Sequence, residues 1–148
     1  MKLSELDGRL LRWYAQASTE RDVLNGKEYY VFRDAAGEIL SWSPEPLSDL
    51  FAPVDTLAEA HGVCFLCPKA FVKNGGEAGT HSVYVWFVGS PVPAHIGLNS
   101  KGETVRWNAS GTGLADLVLT PSIQEEDSGI CGWHGHVGSS GVPPGEAA

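Results

Sequence analysis

Two short stretches decide the fold that the sequence predicts: GVCFLCPK at residues 62–69 and ICGWHGH at residues 130–136. The first contains a C-x-x-C motif and the second a C-x-x-H motif, and together they hold all three cysteines of the chain. Two residues three apart on a tight turn can face one ion, so two such turns complete a tetrahedral zinc site. The predicted zinc ligands are Cys64, Cys67, Cys131 and His134.

The ligand set has alternatives, because strand geometry argues against one of its members. In an extended strand Cys64 and Cys67 point to opposite faces, so both can bind an ion only if the chain turns between them. Cysteine is also often a small buried apolar residue rather than a ligand. The alternate ligands are His136, two residues after His134, and His81, at the start of an apolar segment.

Length and composition predict a single globular domain over residues 1–138. The 148 residues include 18 glycines and nine prolines, which favour many turns and short elements. Residues 139–148 are rich in serine, glycine and proline, so this composition predicts a flexible C-terminal tail.

The charge balance narrows the possible partners. The formal net charge is −8 and the basic residues are scattered, so nucleic acid is disfavoured as a partner. No apolar run approaches the roughly 18 residues of a membrane span, and the N-terminus lacks the apolar core of a signal peptide. We therefore expect a cytoplasmic protein with reduced thiols, which acts through protein partners or self-association.

The elements predicted along the chain are mostly short strands. Strand-forming residues on both sides of a glycine turn predict a hairpin over residues 28–42, and residues 81–88 are apolar on both faces, which predicts a central strand. Residues 3–18 carry a weak helical pattern, with a strand over residues 9–14 as the alternative. The predicted fold class is α+β, mainly β, with short antiparallel strands, a zinc-knuckle-like site and a short N-terminal helix.

Several segments between residues 60 and 137 resemble a family of small, uncharacterised phage and prophage proteins. The segments that carry the resemblance are 62–71, 74–76, 79–83, 106–107, 110–117, 119–123 and 131–135. The resemblance implies a phage origin, in the host cytoplasm or the virion, and a zinc knuckle, but no reaction. In the family pattern the knuckle reads Cys-Pro-Lys-Cys, whereas Ala70 follows Pro68 and Lys69 here.

Two functions are therefore expected to compete. A closed four-ligand site favours a phage-derived accessory or structural protein without enzymatic activity, in which zinc holds distant segments together. The alternative is a metal-dependent hydrolase, because the loss of a ligand at Ala70 would leave a three-ligand zinc with a bound water. His81, His136, Asp116 and the loop from Ser110 to Thr112 would then supply polar groups to its cleft. A redox pair of Cys64 and Cys67 is disfavoured, because no βαβ pattern surrounds it.

Overall fold

The protein is described by a computed structural model that covers residues 1–14, 20–33, 37–44, 51–94, 96–124 and 132–148. The chain forms two compact units, a larger one from residues 1–11 and 53–148 and a smaller one from residues 12–52. The prediction of a single domain over residues 1–138 does not anticipate this division.

The described residues are mainly β, with antiparallel sheets and one short α-helix, so the predicted α+β, mainly β class is confirmed. Their strands are β1 (Arg9–Trp13), β2 (Arg21–Leu24), β3 (Lys27–Arg33), β4 (Ile39–Ser43), β5 (Phe51–Val54), β6 (Gly62–Leu66), β7 (Ser82–Trp86), β8 (Asn108–Ser110), β9 (Val118–Thr120), β10 (Ile123–Gln124) and β11 (His134–Gly135). Their helical elements are helix α1 (Pro68–Asn74) and three 3-10 turns, Leu3–Leu6, Leu57–Glu59 and Leu114–Asp116.

Strand β6 holds the main sheet of the larger unit together, because it pairs antiparallel with β1 on one side and β7 on the other. The strand order is β5-β1-β6-β7. Val63 and Phe65 of β6 point to the same face as Val83 and Val85 of β7, and all four belong to the buried core. Short strand pairs β8-β9 and β10-β11 add Leu119 and other apolar side chains to this core.

Strand β7 lies at the edge of this sheet, so the prediction of a central strand over residues 81–88 is wrong. Its side chains alternate between the core and the opposite face, and Ser82 and Tyr84 are exposed. The strand's aromatic and β-branched residues had suggested that both faces are covered. Val83 and Val85 pack on the core, whereas Tyr84 lies on the opposite, more open face.

Helix α1 was not predicted, although its boundaries carry recognisable signals. Pro68 occupies the first turn, where its missing N–H would have no partner in the helix. Gly75 ends the helix with a φ of 71°, a left-handed conformation that glycine adopts readily. The predicted N-terminal helix is reduced to the 3-10 turn Leu3–Leu6, and β1 follows it as the alternative prediction proposed.

The smaller unit contains the three-stranded antiparallel sheet β2-β3-β4. The hairpin predicted over residues 28–42 is confirmed by the pairing of β3 with β4, while its turn at residues 34–36 lies outside the described residues. A second hairpin joins β2 to β3 through Asn25 and Gly26, which both have positive φ. The Asn-Gly pair is a strong signal for such a turn.

The C-terminal segment is packed against the larger unit, which corrects the prediction of a flexible tail over residues 139–148. Leu3 donates a backbone hydrogen bond to the Gly145 carbonyl at 2.9 Å, and Ala147 donates one to Met1 at 2.8 Å. Ala147 is only 1% exposed and belongs to the core. The glycines of this segment serve close packing as well as turning, since a Cβ on Gly145 would overlap the Ala115 carbonyl oxygen.

Two glycine substitutions test this packing, because Gly141 and Gly145 both have positive φ but different surroundings. A Cβ at Gly141 would meet nothing within 4 Å, so Gly141→Ala should cost about 1 kcal/mol of unfolding free energy for its backbone conformation alone. Gly145→Ala should cost about 1–3 kcal/mol more, because it also overpacks. Denaturant unfolding of both variants measures the difference, and equal effects would mean that the segment is not packed.

Candidate metal centre

Cys67 lies at the junction between β6 and α1, in the interior of the larger unit. It is 0% exposed and packs within the core. Its backbone N–H donates to the His81 carbonyl at 3.0 Å, and its carbonyl accepts from Phe71 N–H at 2.8 Å. These two bonds fix Cys67 where the chain turns from sheet to helix, directly across from His81.

His81 precedes β7, and its ring lacks the hydrogen bonds that buried polar groups normally make. Both ring nitrogens, Nδ1 and Nε2, are inaccessible to solvent and have no hydrogen-bond partner among the described residues. A buried polar atom without a partner costs free energy, so an arrangement of this kind calls for a specific explanation such as a bound ion or water. Because β6 and β7 are paired up to Leu66 and Ser82, the backbone bond between Cys67 and His81 continues the same ladder.

Cys64 lies on the other face of the sheet from the core. It is paired with Arg9 on β1 and with Tyr84 on β7, and it is only partly buried. Burial raises the pKa of the Cys64 thiol, and the positive charge of Arg9 opposes this effect. Because side chains alternate between the faces of a strand, Cys64 points away from Cys67, as expected from their spacing in an extended strand.

His134 and His136 belong to β11 and its continuation, where each ring has a serine as its neighbour. His134 is exposed, and its Nε2 lies 3.0 Å from the Ser122 hydroxyl oxygen. The His136 Nδ1 lies 3.4 Å from the Ser139 hydroxyl, and the two imidazole rings are 6.4 Å apart. Neither ring is therefore placed in the buried environment of Cys67.

Cys131 lies outside the described residues, whereas residues 132–148 are described. The Lys69 side chain of α1 reaches towards Gly132, since a Cβ there would lie 3.8 Å from Lys69 Nζ. The Trp133 ring packs edge-on against Phe65 with ring centroids 6.0 Å apart. The segment that follows Cys131 therefore contacts both α1 and the core next to Cys67.

The three described members of the predicted ligand set, Cys64, Cys67 and His134, do not form a common site, and the fourth, Cys131, lies outside the described residues. Within the part of the chain that the structure describes, no three His, Cys, Asp or Glu side chains are placed to hold one ion. Cys64, Cys67 and His134 accordingly lie in three different environments. The neighbouring pair that the structure forms is Cys67 with the alternate ligand His81. The zinc spacing in the sequence could not reveal this pair, because the two residues meet through sheet pairing.

The polar loop that the hydrolase alternative assigned to a cleft has a structural explanation. The Asp116 carboxylate accepts hydrogen bonds from the Thr112 N–H, the Thr112 hydroxyl and the Gly113 N–H, at 2.9–3.0 Å. These bonds to Gly113 and Thr112 lower the pKa of Asp116. The carboxylate of Asp116, at the end of the 3-10 turn Leu114–Asp116, therefore binds back to Thr112 and Gly113 and closes the loop that precedes this turn.

No family model, curated protein or solved structure matches the chain. The resemblance to phage and prophage proteins therefore stays a prediction based on its motifs. None of the described helices combines the length and the apolar character that crossing a membrane requires.

The loop of Asp116 yields a pH-dependent prediction. Because folding lowers the pKa of this carboxyl, its ionised form should stabilise the fold above about pH 4, and this contribution should disappear as the pH falls through the lowered pKa. Asp116→Asn should therefore destabilise the protein at pH 7 and lose most of its effect in acid. Melting curves from pH 7 to pH 3 measure this, with Glu77→Gln as a control that also removes one negative charge. A destabilisation independent of pH would contradict the prediction.

Proposed function

We propose that this chain is a non-enzymatic accessory or structural protein whose β-rich fold is held together by a zinc ion. The observation that supports the proposal most directly is the His81 ring, with two buried nitrogens that have no partner among the described residues. A zinc ion bound to one ring nitrogen of His81 would give that buried nitrogen a partner and so lower the free-energy cost of burying it. The buried Cys67, on the paired segment, would bind the same ion.

Cys131 is proposed as the third ligand. It belongs to the C-x-x-H motif of the sequence, and Trp133, two residues later, packs against Phe65 of β6. The ion would then connect the end of β6, the start of β7 and a segment fifty residues after His81, which restrains a long loop of the chain. In this ligand set His81, introduced above as an alternate, replaces Cys64 and His134.

Burial favours a structural role over a catalytic one. The proposed set supplies three protein ligands, the number that a catalytic zinc has, so a structural role is supported by the enclosure of the site and not by a fourth protein ligand. A catalytic zinc keeps its remaining coordination position open to water or substrate. Cys67 is 0% exposed and both ring nitrogens of His81 are inaccessible to solvent. Asp116, which a hydrolase would need as a polar group in its cleft, is occupied by hydrogen bonds from Thr112 and Gly113.

The phage context is part of the same proposal and is supported by the motifs of the sequence alone. An accessory protein of this kind would act through protein partners or through self-association, in the host cytoplasm or in the virion. Its acidic net charge of −8 favours contacts with proteins over contacts with nucleic acid.

The zinc content of purified protein tests the ligand set. Wild type should carry one zinc ion per chain, and Cys67→Ser, His81→Ala and Cys131→Ser should each lose it, because each removes a direct ligand. Cys64→Ser and His134→Ala are matched controls that remove the same residue types at positions outside the proposed site, and both should keep the ion. Elemental analysis of tag-free protein gives the ratio for each variant.

The stability of the same proteins distinguishes a metal site from buried core residues. Excess chelator should lower the melting temperature of wild type and of both controls, and should leave the three ligand variants unchanged. Wild type without zinc, or with a melting temperature that chelator does not change, would rule out the structural zinc. Loss of zinc in Cys64→Ser would instead restore the ligand set predicted from the sequence.

A further inference from the structure

A cleft of about 420 Å³ opens on the larger unit, and it includes aromatic side chains of the sheet face opposite to the core. Its volume falls within the range of small-molecule sites, which is about 300–1,000 Å³. Among the described residues that line it none is charged, in a chain whose net charge is −8. The lining residues with aromatic or polar side chains are Tyr84, Trp86, Asn99, Trp107, Ser122 and Gln124.

The sheet contributes an aromatic surface to this cleft. The rings of Tyr84 and Trp86 form a stacked pair, with centroids 6.5 Å apart and planes inclined by 20°. This pair is called the aromatic strip; Trp86 is only 4% exposed, so Tyr84 provides the exposed ring surface. Gly62 on the neighbouring strand makes this possible, because a Cβ there would overlap the Trp86 ring. Tyr84 remains 46% exposed, an unusually open position for a large ring on a sheet.

The opposite wall is fixed in place by Arg106. Its guanidinium donates hydrogen bonds to the carbonyls of Val92, Pro93, Ile96 and Val105, at 2.8–3.4 Å. These bonds hold the segment before Gly97 against the segment that leads to Trp107. Gly97 also comes close to Trp86, since a Cβ there would lie 3.1 Å from the ring. The cleft is therefore formed before any ligand arrives, which lowers the entropic cost of binding.

The polar groups of the cleft are neutral amides and a hydroxyl. Asn99 uses its Oδ1 to accept the N–H groups of Lys101 and Glu103, so its Nδ2 is the atom left to donate to a ligand. The Ser122 hydroxyl lies 3.0 Å from His134 Nε2, and the exposed Gln124 amide is next along β10. These groups stand around the aromatic strip and can both donate and accept hydrogen bonds.

We propose that this cleft binds a neutral pyranose sugar, as a free oligosaccharide or as a unit of a larger glycan. A pyranose ring has one face of C–H groups, which packs on the negative face of an aromatic ring, and a rim of hydroxyls that amides and hydroxyls can bind. The Tyr84–Trp86 strip provides the first kind of contact. Asn99, Ser122 and Gln124 provide the second. The uncharged lining fits a ligand without charge.

A proline-rich peptide is the other ligand that aromatic clefts commonly bind. Such peptides expose backbone carbonyls, for which indole N–H groups are suitable donors. Here the Trp107 Nε1–H already donates to the Ser122 carbonyl at 3.2 Å. The other donors that line the cleft include the side-chain amides of Asn99 and Gln124 and the hydroxyls of Ser122 and Tyr84, and this composition favours the sugar.

Titration with neutral tetrasaccharides of hexoses and of N-acetylhexosamines tests the proposal. The indole N–H signals of Trp86 and Trp107 in nitrogen-15 correlation spectra report on the cleft directly, and at least one sugar should shift them in a saturable way. Tyr84→Ala should weaken that binding by about tenfold, because the exposed stacking surface is lost. Tyr84→Phe keeps the ring and should stay within about twofold of wild type.

Two further controls make the result decisive. Tyr30→Ala removes a tyrosine of the smaller unit that does not line the cleft, and it should bind the sugar as wild type does. Cosedimentation with insoluble polymers of the same sugar distinguishes a glycan surface from a free oligosaccharide, and both outcomes support the proposal.

The proposal would be overturned by tetrasaccharides that leave both indole signals unchanged, or by Tyr84→Ala binding as tightly as wild type. A proline-rich decapeptide that shifts these signals when no sugar does would overturn it as well.

Discussion

The alternation of side chains along β6 is the constraint on which the larger unit depends. Because this strand is paired on both sides, its register cannot slip without exchanging every side chain between the two faces. Val63 and Phe65 are committed to the core, and the space above Gly62 is left for Trp86. One strand of five residues thus specifies a packed interior on one face and an aromatic surface on the other.

The same constraint separates the two proposed sites. Cys67 follows the strand at the point where the chain turns into α1; its side chain joins the core, and its backbone N–H donates to the His81 carbonyl. Cys64 stays on the aromatic side beside Tyr84. A metal at the first position would stabilise the sheet from within, whereas a ligand on the aromatic strip would leave the interior unchanged.

The sequence predicted well those features that depend on local pattern. The β3-β4 hairpin and the mainly β class follow from strand-forming residues and turn glycines, which act within a few positions. It failed where distant segments decide the outcome. The spacing of Cys64 and Cys67 does not tell which face each occupies, and the spacing of Cys131 and His134 does not reveal that His81 faces Cys67. Composition suggested disorder after residue 138, because the contact of Gly145 with Ala115 lies beyond any local signal.

The backbone bonds that join Leu3 to Gly145 and Met1 to Ala147 have a consequence for how the protein is made. They connect residues more than 140 positions apart, so these bonds can form only after residues 145–147 have been synthesised. Leu3 and Leu6 also pack in one core cluster with Val63 and Phe65 of β6, which are synthesised much earlier. The first turn therefore has part of its docking surface early, whereas its bonds to Gly145 and Ala147 belong to the late steps of folding, because closing so long a loop costs the most entropy.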